Sequence, residues 1–144
     1  MSDYTLLTGA TGLVGRFVMW DLLERGHRLA VVIRPSDSET VEQRVESILQ
    51  IRERQTGTLL ARPVCLAGDV TRERLGLRPG EAHWVARNCH RVLHGAAALT
   101  FFGTSRADDP WRTNVEGTRH VLNACSRWGI DDLHYISTAY VCGT

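Results

Sequence analysis

The sequence contains no lysine: all 17 basic residues among its 144 are arginine. No mechanism that needs a lysine can be carried out by this chain alone. It also lacks any run of 18 apolar residues, which excludes a membrane-spanning helix of ordinary length. An excess of one charge sign is missing too. The formal net charge is +1, so nothing favours nucleic acid or an anionic membrane as a partner. Cysteine is sparse. Cys65, Cys89, Cys125 and Cys142 are scattered without the paired spacing of a metal site, so no metal is expected and they read as small buried hydrophobes. The N-terminal Met-Ser-Asp does not look like a signal peptide. The expectation is a cytoplasmic protein with reduced thiols.

What is present is enough residues for one domain over 1–144 with a real core, and one stretch that organises the rest. Tyr4 to Leu7 is a short apolar run. Glycines follow at 9, 12 and 15, and an amphipathic segment begins at once. That is strand, tight turn, helix. A turn of this kind presents free N–H groups and the positive end of a helix dipole to an anion. Gly9 allows the sharp turn, Gly12 lets a pyrophosphate approach the backbone, and Gly15 lets helix and strand pack closely. With its strand before and helix after, the pattern points to a dinucleotide site rather than an ordinary loop.

Val14, Phe17, Val18 and Leu22 predict a helix over 13–25, stopped by Gly26. The run 28–33 is continuously apolar, as in a strand buried on both faces of a parallel sheet. Arg34 ends it. In dinucleotide folds this position faces the adenosine ribose, where an arginine suits the 2′-phosphate of NADP. Ser36 and Glu39 predict a capping box, followed by an amphipathic helix over 39–55 carrying Arg44, which could reach the same phosphate. A third strand is expected at 63–67. Asp69 behind it could accept hydrogen bonds from an adenine amino group or cap a short turn near 71–75. Pro79-Gly80 marks a loop and 81–88 a helix. The fourth strand, 91–95, runs into Ala96 and Ala97, small enough for a planar cofactor to approach the backbone. His94 lies inside that strand, where a packed or hydrogen-bonded histidine is expected rather than a general base. The loop 99–108, with Phe101 and Phe102, is expected to form a lip of the cleft. Asp109-Pro110 starts a helix that runs to 128, with Val115, Val121, Leu122 and Cys125 inward. A fifth strand follows at 132–136.

Alternating strands and helices behind a glycine turn give an α/β, doubly wound parallel sheet (Rossmann). Its ordered motifs are 8–15 (TGATGLVG), 68–70 (GDV), 94–97 (HGAA), 113–118 (TNVEGT) and 136–143 (ISTAYVCG). Together they resemble the N-terminal half of the extended short-chain dehydrogenase/reductases, and most of all the thioester-reductase and fatty-acyl reductase branch. The resemblance implies that the sheet is incomplete at its C-terminal end and that the substrate-binding part is absent. It implies NADPH, less so NADH, as cofactor. Gly9, Thr11, Gly12, Leu13, Val14 and Gly15 would cradle the pyrophosphate, Arg34 with Arg44 would select NADPH, Asp69 and Val70 would flank the adenine, and Ala96 and Ala97 would line the cofactor path. Asn114 would support the site from its helix. Thr138, five residues before Gly143, matches the catalytic hydroxyl, with Ser137 as the neighbouring alternative. The substrate would be a small molecule or a carrier-bound acyl group, received as a thioester or aldehyde.

One departure stands out. The family's proton donor is a tyrosine followed four residues later by a lysine, and in the family this pair lies beyond the position that corresponds to Thr144. The tyrosines present are Tyr4, Tyr135 and Tyr140, and none has a lysine. Two other readings therefore stay open: a non-catalytic NAD(P)-binding module or redox sensor, and an epimerase or dehydratase acting on a nucleotide sugar. An open sheet also predicts self-association through its uncovered side.

Overall fold

The computed structural model describes residues 3–138. Five strands form one parallel sheet: β1 (Tyr4–Thr8), β2 (Arg28–Ile33), β3 (Val64–Ala67), β4 (Cys89–His94) and β5 (Asp132–Tyr135), in the order β3-β2-β1-β4-β5. The connecting helices are α1 (Leu13–Glu24), α2 (Val41–Thr56), α3 (Pro79–Asn88) and α4 (Thr118–Trp128). The order reverses at β1, so the chain winds to one side through β2 and β3 and to the other through β4 and β5. This is the expected Rossmann arrangement, with its crevice at the switch point between β1 and β4.

Two cores follow from the strand pattern. β1, β2 and β4 bury side chains on both faces. Leu7, Val31 and Ile33 pack with Met19, Trp20 and Leu23 of α1 and with Val45 and Leu49 of α2. Leu6, Ala30, Val32 and Val92 face the other way, toward Val85 of α3 and Val121, Ala124 and Cys125 of α4. Each such aliphatic side chain contributes roughly 1.5–3 kcal/mol on burial.

The helices depart from the sequence reading in instructive ways. In α1 the buried stripe is Gly15, Met19, Trp20 and Leu23, whereas Val14 and Phe17 are each 57% exposed. The reason is Gly15: its closeness to the glycine turn fixes which face meets the sheet, and that contact outranks the apolar spacing. The capping box of α2 lies four residues later than expected. Thr40 and Gln43 cap each other's backbone, and α2 ends at left-handed Gly57. Ser36 and Glu39 instead close a separate turn, in which the Ser36 hydroxyl takes the Glu39 N–H and gives its proton to the Glu39 carbonyl. Pro79 and Gly80 do not form a loop. They open α3, because a proline is suited to a first helical turn whose N–H groups are free anyway. β4 begins at Cys89, two residues early.

The helix predicted from Asp109-Pro110 changes its winding part-way. Residues Arg112–Gly117 wind as a wide π-type turn, and only then does α4 begin. Asp109 does cap the start, accepting from the Thr113 N–H (3.1 Å) and hydroxyl (2.6 Å). The widened turn shifts the helical phase, so Val121 and Cys125 are buried while Val115 and Leu122 are 37% and 52% exposed. Of the cysteines, Cys89 and Cys125 are buried and Cys65 half-buried. Burial pushes the Cys65 and Cys89 thiols up to about 11 and about 12, as suits packing residues rather than nucleophiles. Cys142 lies outside the described residues. No helix among the described residues is long and apolar enough to cross a membrane.

Candidate dinucleotide site

A cavity of about 590 Å³ opens over the C-terminal ends of β1, β2, β3 and β4. Its floor is the turn from Gly9 to Gly12. Gly9 has φ +81°, and a Cβ there would lie 2.5 Å from the Gly95 carbonyl carbon. At Gly15 an added Cβ would lie 1.9 Å from the Gly9 oxygen. Both glycines are demanded by the fold itself. Gly12 is different: its Cβ would meet only the Gly9 oxygen, at 3.4 Å, and its φ of −74° suits any residue. The room at Gly12 lies on the cavity side, where a ligand would need it.

The helix start behind this turn is chemically unfinished. α1 has no side-chain cap and no acid in its first turn, so the amides of Leu13, Val14 and Gly15 have no helical acceptor. Arg16 stands in that turn too, where the helix dipole opposes a cation. Its Nη2 donates to the Thr11 carbonyl (3.4 Å), and its buried Nε has no partner among the described residues. An anion seated at the turn would offset both effects. These residues fit the pyrophosphate of a dinucleotide.

At the β2–β3 end the cavity is charged. Arg44 donates through Nη1 to the Arg34 carbonyl (2.6 Å). The Arg34 Nε lies 3.8 Å from Asp69 Oδ2, and the Arg34 side chain is 56% exposed. Asp69 turns its other oxygen to Thr71, accepting from its N–H (2.9 Å) and hydroxyl (2.7 Å). So Asp69 closes the short turn before the 3₁₀ segment Glu73–Gly76, and one carboxylate oxygen is left toward Arg34. Burial pushes the Asp69 carboxyl up, but the Thr71 hydrogen bonds and the Arg34 and Arg112 charges outweigh it and hold it below the ordinary range.

At the β4 end the lining residues Gly95, Ala96 and Ala97 are neutral, and the polar groups behind them include a buried histidine. His94 is 1% exposed and stacks on Tyr135 with ring centres 5.3 Å apart. Its Nδ1 is 2.7 Å from the Thr8 hydroxyl and its Nε2 is 3.1 Å from that of Thr118. Burial lowers its pKa to about 4, so it is a neutral structural histidine, as its place inside a strand suggested. Asn114 accepts from the Ala98 N–H (2.8 Å) and donates to the Ala98 carbonyl (3.1 Å), which pins the loop that leaves β4.

The structure gathers most of the predicted positions around this one cavity: Gly9, Thr11, Gly12, Arg34, Arg44, Asp69, Val70, Ala96 and Ala97 all line it. Leu13 and Val14 do not; their side chains are 72% and 57% exposed, and only their backbone N–H groups belong to the helix start. Gly15 sits behind the turn, and Asn114 stands one step back. Phe101 and Phe102, the expected lip, are 84% and 91% exposed and do not line this cavity. Thr138 is exposed, three residues beyond β5. Tyr140 and Gly143, which complete its motif, lie outside the described residues. Thr113 also lines the cavity. Sequence reasoning missed it, although its spacing four residues after the cap Asp109 was the available signal.

A family model described as "Male sterility protein", of the NAD-binding type, matches residues 7–144. The chain belongs to this family. It is an NAD(P)-binding Rossmann module of the short-chain dehydrogenase/reductase type, in the thioester and fatty-acyl reductase branch. A Drosophila melanogaster protein named as a fatty acyl-CoA reductase is 31% identical over 94% of this chain, which spans 28% of that protein. Among solved structures, the terminal R domain of the myxalamid biosynthetic pathway is 28% identical with a TM-score of 0.74, over 96% of this chain and 35% of that one. The reductase domain of a Mycobacterium tuberculosis non-ribosomal peptide synthetase is 26% identical with a TM-score of 0.66, over 96% of this chain and 34% of that one. The chain thus spans about a third of the length of these relatives.

Proposed function

We propose that this chain forms the NADPH-holding part of a reductase that acts on a thioester or aldehyde carbonyl, borne by a small molecule or by an acyl group on a carrier. The observation that carries the reading is the meeting, in one cavity, of an uncapped glycine turn, Arg34 at the end of β2 and Arg44 from α2. The turn 9–12 and the amides of Leu13 to Gly15 would hold the pyrophosphate. Arg34, with Arg44 behind it, would hold the 2′-phosphate, whose charge matches theirs as a ribose hydroxyl does not. Asp69 and Val70 would flank the adenine. Ala96 and Ala97 would admit the flat far end. When bound, NADPH supplies a hydride. Thr138 would donate a hydrogen bond to the substrate carbonyl oxygen, where negative charge develops.

The absence of lysine favours a second, narrower reading for the isolated chain: binding without turnover. The pair that serves as proton donor in the family, a tyrosine with a lysine four residues on that lowers its pKa, does not occur in this sequence. The test is a titration of the 144-residue chain with NADPH and with NADH, followed by tryptophan fluorescence. Saturable NADPH binding with weaker NADH binding is expected. Binding of neither, or tighter binding of NADH, refutes the NADPH reading. Carbonyl-dependent NADPH oxidation by the same sample refutes the narrower one.

A further inference from the structure

The two turns that form the β1–β4 side of the cavity meet through a chain of hydrogen bonds that the proposed cofactor contacts do not explain. Thr8 is fully buried at the end of β1. Its hydroxyl oxygen lies 3.2 Å from the Gly95 nitrogen and 3.2 Å from the Ala96 nitrogen. Both of those groups can only donate, so the hydroxyl accepts from them and its own proton is left for His94 Nδ1 at 2.7 Å. On the other side of the ring, the Thr118 hydroxyl is 2.7 Å from the Asn114 carbonyl. A carbonyl can only accept, so the Thr118 proton is used there, and its oxygen must accept from His94 Nε2 at 3.1 Å. The two ends are independent, and both require the same tautomer: proton on Nε2, lone pair on Nδ1. The direction of every bond is therefore set: donation runs from the amides of Gly95 and Ala96, through Thr8, His94 and Thr118, to the Asn114 carbonyl at the π-type turn.

The wire ends where the two turns meet. Gly9 and Gly95 touch so closely that no Cβ fits between them. The Gly95 N–H is shared between the Thr8 hydroxyl and the Thr8 carbonyl (3.1 Å). The same α4 approach region carries Asn114, whose side chain grips both backbone groups of Ala98. Loop 95–98 is thus held at both ends, by Thr8 at its start and by Asn114 at its finish, and the link between the two passes through Thr118 and His94. Thr113 and Gly117, the neighbours of this link on the π-type turn, are themselves buried.

We propose that Thr118 is a positioning residue for the cofactor: through His94 and Thr8 it orients the Gly95 and Ala96 amides and so sets the width of the cavity beside Ala96 and Ala97, where the far end of the dinucleotide would lie. The inference rests on the cofactor reading above, because it presumes that Arg34 takes the adenosine end. It predicts a local effect. The hydrogen bonds of Thr118 go to His94 and Asn114 and not to the Arg34 end, so a fragment that occupies only that end should not sense its loss.

The experiment compares NADPH with adenosine 2′,5′-bisphosphate, which carries the phosphate-bearing ribose but no nicotinamide. Thr118→Val keeps the shape of the side chain and removes the acceptor. It should weaken NADPH binding by about tenfold and leave the fragment's affinity unchanged. Thr118→Ser, which keeps the hydroxyl, should bind both as the wild type does. Equal loss for both ligands, or no loss, in a folded Thr118→Val protein overturns the proposal. The ring nitrogens of His94 decide the case even if that variant fails to fold. In the wild type, ¹⁵N shifts should show Nε2 protonated and Nδ1 bare, and a protonated Nδ1 overturns the wire. A wild type that binds neither ligand overturns the cofactor reading instead, while the ring measurement still judges the hydrogen-bond chain on its own.

Discussion

The two ends of the cavity are built by opposite means. At the β2–β3 end the groups are charged, and the leading one stands largely in water: Arg34 is over half exposed and sits 3.8 Å from its carboxylate partner. At the β4 end the groups are neutral, Thr8 and His94 are buried, and every hydrogen bond has a fixed direction, donated from the Ala96 N–H through to the Asn114 carbonyl. Exposed charges cost little to keep, are screened by salt, and can be exchanged without harm to the fold. A buried polar chain is the reverse. Satisfied, it fixes geometry; with one member removed, it leaves an unpaired group in a low-dielectric interior. Under the proposed function, choice of cofactor would lie at the exposed, charged end and placement of the reacting end at the hydrogen-bonded one.

The glycine turn joins the two ends, and the largest effect is expected there. Gly15→Ala forces a methyl to within 1.9 Å of backbone and should destabilise the protein by about 3 kcal/mol or more. Gly12→Ala, by contrast, should leave stability within about 1 kcal/mol while weakening NADPH about tenfold or more. Urea denaturation and the fluorescence titration separate the two; equal stability losses would show that Gly12 serves the fold as well.

The buried end should reveal itself to acid. His94 is held near 4 in the folded state against an ordinary 6.5, so the unfolded chain takes up a proton that the folded chain refuses. Stability is then complete above about pH 6.5 and falls as pH drops toward 4, by up to about 3 kcal/mol in all. Denaturant midpoints across that range should show the slope, and His94→Gln, which cannot titrate, should remove most of it. A slope unchanged in that variant would assign the acid sensitivity elsewhere.

Smaller effects belong to the charged end. Arg34→Ala should cost roughly 10–100-fold in NADPH affinity, the worth of a charge-assisted hydrogen bond. NADH affinity should change by no more than about twofold, and the difference should shrink as salt rises. Arg44→Ala should cost only a few-fold, because Arg44 meets the Arg34 carbonyl and acts mainly as added charge. If NADPH and NADH weaken alike in either variant, the arginines serve general anion attraction and not selection.

The amino-acid sequence by itself determined the strand–helix alternation, the glycine turn, Arg34 at the end of β2 and the parallel sheet, because these follow from local patterns: apolar runs, breakers and spacing along the chain. Nine of the predicted positions line the cavity, and all but Arg44, which comes from α2, do so for the same reason, since strand ends and the residues just after them must converge at the switch point. The misplaced features were those in which distant residues compete. Val14 and Phe17 lost the inner face of α1 to a stripe set by Gly15 against Gly9. The widened turn at Arg112–Gly117 broke a helical period that looked continuous to Trp128. His94 between Thr8 and Thr118 joins residues 86 and 24 positions away, and nothing in the spacing of three such ordinary side chains announces a wire. A pattern along the chain records which way a side chain faces within its own element. Only the packed sheet decides which donor meets which acceptor, because that depends on the close approach of two turns and a helix from distant parts of the chain.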